Sequence, residues 1–317
     1  MKNALLITSG IVVVLGLVLA GYVTNTTLEQ NPFQDNKLLQ KGMDKPVIWL
    51  YMDTSDVNSR KWTDFMGRSS RAISIPFLNL CYTSIVSKNK DIYRVEVING
   101  LPDLAERLGG WASLPVPLQN PIAPVGPAEL NWIRAVTLKT WGGMWLDPAT
   151  ICIKPFGPLS PEKVVFFGTD DGETYAGPKG TPAPGLRCVW AGKAEQPVFV
   201  EWEKMARVRV EERGGGREFR GDEKWDARQL AAAGDVEYRP NAELSRKANG
   251  RRIQIEDLLA AGQEGALTFD ISEQSIFVPI PWPELRDRRQ FGWFLRMSED
   301  QIMESDLAIS ALFRLVG

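Results

Sequence analysis

The middle of the chain holds a helix-like stretch, two glycines and a short apolar run in direct succession. Residues 127–141 start with a proline and carry a glutamate in the first turn, which is typical of a helix start. Gly142 and Gly143 end that helix, and residues 144–146 then predict a short buried strand. A helix that feeds directly into a buried strand is typical of an α/β fold, in which ligands bind beyond the carboxyl ends of the strands. The next residue, Asp147, is therefore placed where a ligand would bind.

Other segments extend this alternation of strands and helices. Residues 47–52 are apolar and β-prone, and the polar residues 53–56 follow, as expected of a buried strand that leads into a loop. Residues 93–98 alternate like a second strand, and residues 102–108 predict a helix. Because strands alternate with helices, we expect one α/β domain over residues 46–317, built on a mostly parallel sheet flanked by helices. In the central helix, the residues predicted to share one buried face are Leu130, Ile133, Thr137 and Trp141.

The composition excludes several classes of function. The chain has no histidine, which rules out histidine-dependent nucleophiles, histidine general bases and most zinc sites. Its three cysteines are too few for a thiolate metal cage or a disulfide framework. Lys and Arg total 37 against 39 for Asp and Glu, so no basic excess favours binding to nucleic acid. What remains is chemistry by carboxylates, Arg, Lys, hydroxyls or an oxygen-bound Mg or Mn, which suits reactions at phosphates and sugars.

The amino-terminal 23 residues predict a transmembrane anchor. Residues 4–23 carry no charge, and a helix of that length spans about 30 Å, the thickness of the hydrocarbon layer. A secretory signal cleaved before Gly21 is the alternative interpretation. Residues 24–45 are polar and predict a stem between the anchor and the domain. We therefore expect a single-pass membrane protein, of Golgi or endoplasmic-reticulum type II in a eukaryote and otherwise of the inner membrane with a cytosolic domain.

Residues 128–147, AELNWIRAVTLKTWGGMWLD, resemble the hallmark segment of the sugar transferases with a DXD motif and of the capsular-polysaccharide-synthesis proteins. The pattern of that family is a Ser-Asp pair, an arginine, one or two helical turns, Gly-Gly, an aromatic residue and an aspartate. Residues 48–51, 95–98 and 189–199 are similar to its other strand segments. The resemblance implies the GT-A type, Rossmann-like fold of glycosyltransferases, a nucleotide-sugar donor and a divalent metal, Mn or Mg. The acceptor would be a glycan, a lipid or a protein.

The same resemblance assigns candidate roles to individual residues. Asp147 would be catalytic and bind the metal, and Arg134 would be catalytic and contact the donor. For Arg134 a structural ion pair is the alternative. The chain departs from the family at Asn131, where an aspartate is expected, and at residues 147–149, where Asp-Pro-Ala replaces the DXD motif. The further candidates for donor binding are Trp49, Tyr51, Asn131, Gly142 and Gly143, although at least one of the two aromatic residues should belong to the core.

Three later features complete the predictions. Asp170 and Asp171 could supply a second metal ligand, or they could form an ordinary turn. Residues 211–226 are charged and rich in glycine, which predicts a surface loop. Ser298 and Gln301 form a capping box ahead of a carboxy-terminal helix, and Trp293 is either a core residue or a platform for the acceptor.

Two functions are consistent with these patterns. The first is an active glycosyltransferase that uses Asp147 and a divalent metal. The second is a catalytically degenerate relative that serves as a membrane-tethered binding or scaffold protein, because one metal carboxylate is missing and Asn131 replaces another aspartate.

Overall fold

The computed structural model describes residues 45–52, 75–121, 123, 125–168, 185–213, 236–239, 241–244, 246–262 and 266–316. The predicted anchor, the stem up to residue 44, residues 53–56, and Asp170 with Asp171 lie outside these ranges. Within the part that is described, no helix is both long and apolar enough to cross a membrane. The residues Pro46–Gly317 form one compact unit.

A six-stranded sheet forms the centre of this unit. The strands of the described residues are β1 (Val47–Met52), β2 (Arg94–Asn99), β3 (Gly143–Leu146), β4 (Thr150–Cys152), β5 (Val164–Phe167), β6 (Cys188–Gly192), β7 (Val236–Arg239) and β8 (Phe277–Pro279). The central sheet has the order β2-β1-β3-β6-β5-β7, and β4 pairs with β8 in a separate ribbon. Only β6, among the six, runs against the others. The prediction of an α/β fold with a mostly parallel sheet is therefore confirmed.

Helices surround this sheet. They are α1 (Pro76–Asn89), α2 (Gly100–Arg107), α3 (Pro127–Trp141), α4 (Pro197–Arg213), α5 (Ile255–Leu258), α6 (Trp282–Asp287), α7 (Glu299–Glu304) and α8 (Ala308–Val316). The predicted carboxy-terminal helix is in fact two helices. Ser298 and Gln301 cap α7 as expected, but Ser305 has an extended backbone that ends it before α8 begins. The first part of the predicted loop at residues 211–226 is also different, because α4 continues to Arg213.

The alternation of side chains along β1 and β3 divides the core into two layers. Trp49, Tyr51 and Trp145 pack in one cluster with α3 and α4, whereas Leu50 and Met144 belong to a cluster on the opposite face of the sheet. The prediction of a single buried face for α3 is too narrow. This helix packs against both the sheet and α4, so nearly its whole circumference is buried; Trp132, Ala135 and Leu138 are buried in addition to Ile133 and Thr137.

A buried carboxylate joins α3 to α4. Glu203 of α4, whose side chain is 7% exposed, accepts hydrogen bonds from Trp132 Nε1 at 2.9 Å and Arg207 Nε at 2.8 Å, and Lys139 Nζ lies 3.3 Å away. We call these four residues the Glu203 cluster. Burial alone would raise the pKa of Glu203, but its three partners outweigh burial, so the pKa lies below its usual value. The cluster therefore fixes α3, the helix that carries Asn131 and Arg134, to its neighbour.

Candidate functional site

Three polar residues, Tyr51, Asp147 and Arg187, lie near the ends of the central strands. Trp49 of β1 pairs with Trp145 of β3, and Trp145 pairs with Val189 of β6. Continuing this register by two residues, beyond the last residues that β1 and β3 pair, gives Tyr51, Asp147 and Arg187 neighbouring backbone positions at this edge of the sheet. The backbone supports the placement, because Asp147 N donates to Arg187 O at 2.8 Å. This edge, with the three residues named, is the candidate site.

The carboxylate of Asp147 faces outward at this edge rather than into the core. Its side chain is 32% exposed, and one oxygen, Oδ1, accepts a hydrogen bond from Ala149 N at 3.1 Å. The other oxygen, Oδ2, lies 3.7 Å from Arg187 Nη1. That guanidinium is 33% exposed and donates through Nη1 to the carbonyl oxygen of Ile280 at 3.1 Å. The site thus offers one carboxylate and one guanidinium, both reachable from solvent.

Arg134 and Asn131 lie above the same face of the sheet. Both are buried, and Arg134 Nη1 lies 3.4 Å from Asn131 Oδ1. The guanidinium carbon of Arg134 is 5.4 Å from the ring centroid of Trp145, two residues before Asp147. Asp147 follows the last residue of β3, and its carboxylate lies near α1: burial raises the pKa of the Cys81 thiol, and the charge of Asp147 adds to that rise. The structure therefore brings Asn131 and Arg134 together over Trp145, and a shared site with Asp147 stays a prediction.

Trp49 has the packing role that the sequence left open. Its ring is 4% exposed, lies 5.1 Å from the ring of Trp141, and donates from Nε1 to the carbonyl oxygen of Gly142 at 3.0 Å. A base can stack only on an open ring face, so the expectation that Trp49 flanks a nucleotide does not agree with this burial. Tyr51 is also 4% exposed but lies at the end of its strand. Its part in donor binding stays a prediction.

The glycine pair is required by the fold itself. Gly142 and Gly143 have positive φ angles of 65° and 79°, a backbone conformation that other residues rarely adopt. A Cβ atom on Gly142 would lie 2.6 Å from Gly192 O, and one on Gly143 would lie 2.5 Å from Val47 O. Both glycines thus let α3 and β3 approach neighbouring backbone closely. Direct contact of these glycines with a donor remains a prediction.

A divalent metal fits the described residues poorly. No group of three or more acidic, histidine or cysteine side chains in the described part of the chain could hold a metal ion. At the candidate site Asp147 is the carboxylate available, and the positive charge of Arg187 lies 3.7 Å from it. A divalent cation is usually bound by several oxygen ligands, and a neighbouring guanidinium would repel it. The transfer step proposed for this chain therefore does not use the metal that the resemblance implies.

Sequence reasoning missed Arg187. The segment at residues 189–199 is confirmed as a strand followed by a helix, but nothing in its pattern gives the direction of the strand. Because β6 runs antiparallel to β3, the residue just before β6 meets the residue just after β3. The one signal in the sequence is a charged side chain directly ahead of the apolar run that forms β6.

Comparison with known proteins gives limited information. No protein-family model matches the chain, and no curated protein matches it. Among solved structures, the chain is similar to one described as "PaToxG Glycosyltransferase", with 15% sequence identity and a TM-score of 0.35 over 60% of this chain and 69% of that one. Similarity at this level carries no conclusion about activity, so the residues of the chain itself must support the proposed function.

Proposed function

We propose that the chain is a nucleotide-sugar-dependent glycosyltransferase with a GT-A type fold, tethered to a membrane by its first 23 residues. The observation that carries this proposal is the pair formed by Asp147 and Arg187 where β3 and β6 meet. Guanidinium groups bind phosphate oxygens, and carboxylates bind sugar hydroxyls, so the two halves of a nucleotide sugar both find partners. The resemblance of residues 128–147 to sugar transferases supports the same conclusion.

Transfer of the sugar breaks its bond to the diphosphate, and positively charged side chains can stabilise the charge that develops. The bond from the anomeric carbon to the diphosphate oxygen breaks, and its electron pair leaves with the nucleoside diphosphate. A hydroxyl oxygen of the glycan, lipid or protein acceptor forms the new bond to the anomeric carbon, and the hydroxyl proton passes to solvent. Negative charge grows on the departing diphosphate, so fixed positive charge nearby stabilises the transition state more than the ground state.

Each residue has a distinct part in this proposal. Arg134 is held by Asn131 and stacks near Trp145, so it presents a fixed positive charge to the donor. Asp147 orients hydroxyl groups of the transferred sugar, since its Oδ2 lies at the open edge and its Oδ1 is already held by the backbone. The absence of histidine from the chain is no obstacle, because electrostatic stabilisation and orientation need none.

The proposal is tested by screening the purified full-length chain against a panel of nucleotide sugars. We expect release of nucleoside diphosphate from at least one donor when mixed glycan and lipid acceptors are present. Asp147→Ala should abolish this release and leave the circular dichroism spectrum unchanged. Asp257→Ala is the matched control, because its carboxylate is 24% exposed, is also paired with a cation, Lys247, and belongs to α5. Full activity in Asp147→Ala would contradict the proposal.

The alternative function, a degenerate transferase that acts as a membrane-tethered scaffold, is favoured by Asn131 and by the replacement of the DXD motif with Asp-Pro-Ala at residues 147–149. Calorimetry with the same panel separates the two functions. A transferase binds a donor and turns it over, whereas binding of no member of the panel would favour the scaffold.

A further inference from the structure

We propose that Arg187 binds the diphosphate of the donor and takes the place of a divalent metal, so that donor binding by this chain is independent of metal ions. This inference rests on the proposed function and adds to it the group that holds the leaving diphosphate. It also assigns a role to a residue that the sequence pattern did not indicate.

The guanidinium of Arg187 is anchored and still has donors to offer. Nη1 is held by the carbonyl oxygen of Ile280 at 3.1 Å and lies 3.7 Å from Asp147 Oδ2. Among the described residues, Nε and Nη2 of Arg187 have no hydrogen-bond partner, although a guanidinium carries five N–H groups in all. Nε and Nη2 form the planar fork that binds two oxygens of one phosphate. Within the described ranges, the side chain is therefore oriented by one nitrogen and can bind a ligand through the other two.

The contact with Asp147 leaves Arg187 available to a ligand. A direct hydrogen bond between a guanidinium and a carboxylate is about 2.7–2.9 Å long, well below the 3.7 Å found here. At the longer distance the carboxylate attracts the guanidinium to the edge of the sheet without occupying its N–H groups. A diphosphate that arrives at this edge can accept those hydrogen bonds while the salt bridge to Asp147 persists.

The same geometry disfavours a metal bridge. One oxygen of Asp147 is bonded to Ala149 N, and the other faces the positive charge of Arg187. A divalent cation on Asp147 would have to displace that guanidinium or accept its repulsion. In contrast, a diphosphate is attracted by the partly exposed guanidinium of Arg187.

Calorimetric titration of the full-length chain with uridine, guanosine, cytidine and adenosine diphosphates tests the inference, in excess EDTA and again in excess Mn²⁺. We expect at least one diphosphate to bind in EDTA. Arg187→Gln should weaken that binding roughly 10- to 100-fold, as the loss of charge-assisted hydrogen bonds predicts, and Arg187→Lys should weaken it less. Asp147→Asn gives the sharpest contrast. It should maintain or strengthen the binding in EDTA, because it removes a negative charge, whereas the loss of a metal ligand would abolish binding.

Arg94→Gln is the matched control. Arg94 is 37% exposed, pairs with Glu96 at 3.4 Å, and starts β2, so it lies at the opposite edge of the parallel strands. Its substitution should leave the affinity unchanged, and circular dichroism shows that each variant is folded. Binding that requires Mn²⁺, is lost in Asp147→Asn and persists in Arg187→Gln would overturn the role of Arg187 while leaving the transferase proposal intact. Failure of the unaltered chain to bind any of the diphosphates, with or without Mn²⁺, would overturn both.

Discussion

Substitution of Gly143 tests whether the glycine pair serves the fold or the donor. Gly143 is the first residue of β3, next to the paired residues of β1, and its φ angle is 79°. A Cβ atom there would lie 2.5 Å from the carbonyl oxygen of Val47 and 3.3 Å from Trp49 Nε1. The carbonyl oxygen of Val47 cannot move away from that Cβ atom unless β1 shifts relative to β3. Gly143→Ala should therefore destabilise the protein before any ligand is considered.

The magnitude has two parts, which a control variant separates. A positive φ angle costs a residue with a side chain about 1–2 kcal/mol, and the overlap with Val47 costs about 1–3 kcal/mol more. Gly250 has the same φ angle of 79°, but a Cβ atom there would meet nothing within 4 Å. Gly250→Ala should thus lower the free energy of unfolding by about 1–2 kcal/mol, and Gly143→Ala by about 2–5 kcal/mol.

Urea unfolding of the full-length variants, followed by tryptophan fluorescence, measures both changes. The midpoints should shift without a change in slope, and Gly143→Ala should shift further than Gly250→Ala. Donor binding should be normal in the fraction of Gly143→Ala that stays folded. Equal losses of stability in the two variants, combined with a selective loss of donor binding in Gly143→Ala, would refute this reasoning and assign the glycine pair to the donor.

Two further predictions concern buried ionisable groups. Because the pKa of Glu203 lies below its usual value of 4.5 in the folded protein, the stability that this carboxylate contributes is present above that pH and lost as the pH falls through the lowered pKa. Urea midpoints from pH 3 to pH 6 should therefore decline more steeply for the unaltered protein than for Glu203→Gln, and parallel curves would contradict the role of the Glu203 cluster. Burial raises the pKa of Cys152 to about 12 and also raises the pKa values of Cys81 and Cys188, so a thiol reagent at pH 8 should label all three in urea and none in the folded protein. Stoichiometric labelling without urea would refute that prediction.

The helices and strands that depend on the sequence of a single segment could be predicted from that segment. The sequence predicted β1 from its apolar run and β2 from its alternating pattern. It predicted α3 from the proline at its start and the glycine after its end. The strand that carries Trp145 and ends at Asp147 could be located for the same reason. The position of Asp147 at an open strand end also follows from the sequence, because its neighbours before and after are apolar and its own side chain is charged.

Features that depend on pairing between distant segments could not be predicted in this way. The direction of β6 is set by how residues 188–192 meet β3, and a strand read in isolation has no preferred direction. The contact of Asp147 with Arg187 follows from that direction alone. Likewise, the burial of Trp49 depends on Trp141 and on the carbonyl oxygen of Gly142, which lies 93 residues further along the chain. The sequence pattern left open whether Trp49 or Tyr51 belongs to the core, and tertiary packing buries Trp49.

Arg187 contributes a positive charge beside Asp147, at a site where the second carboxylate of the DXD motif is missing. In a DXD site, two carboxylates and a divalent ion together carry no net charge. Asp147 with Arg187 is likewise neutral. Under the proposed function, a diphosphate at this edge would meet a carboxylate whose charge Arg187 already balances. Loss of the second carboxylate would damage a metal site, whereas beside Arg187 it avoids an excess of negative charge, so the departure from the DXD pattern is compatible with the proposed transfer.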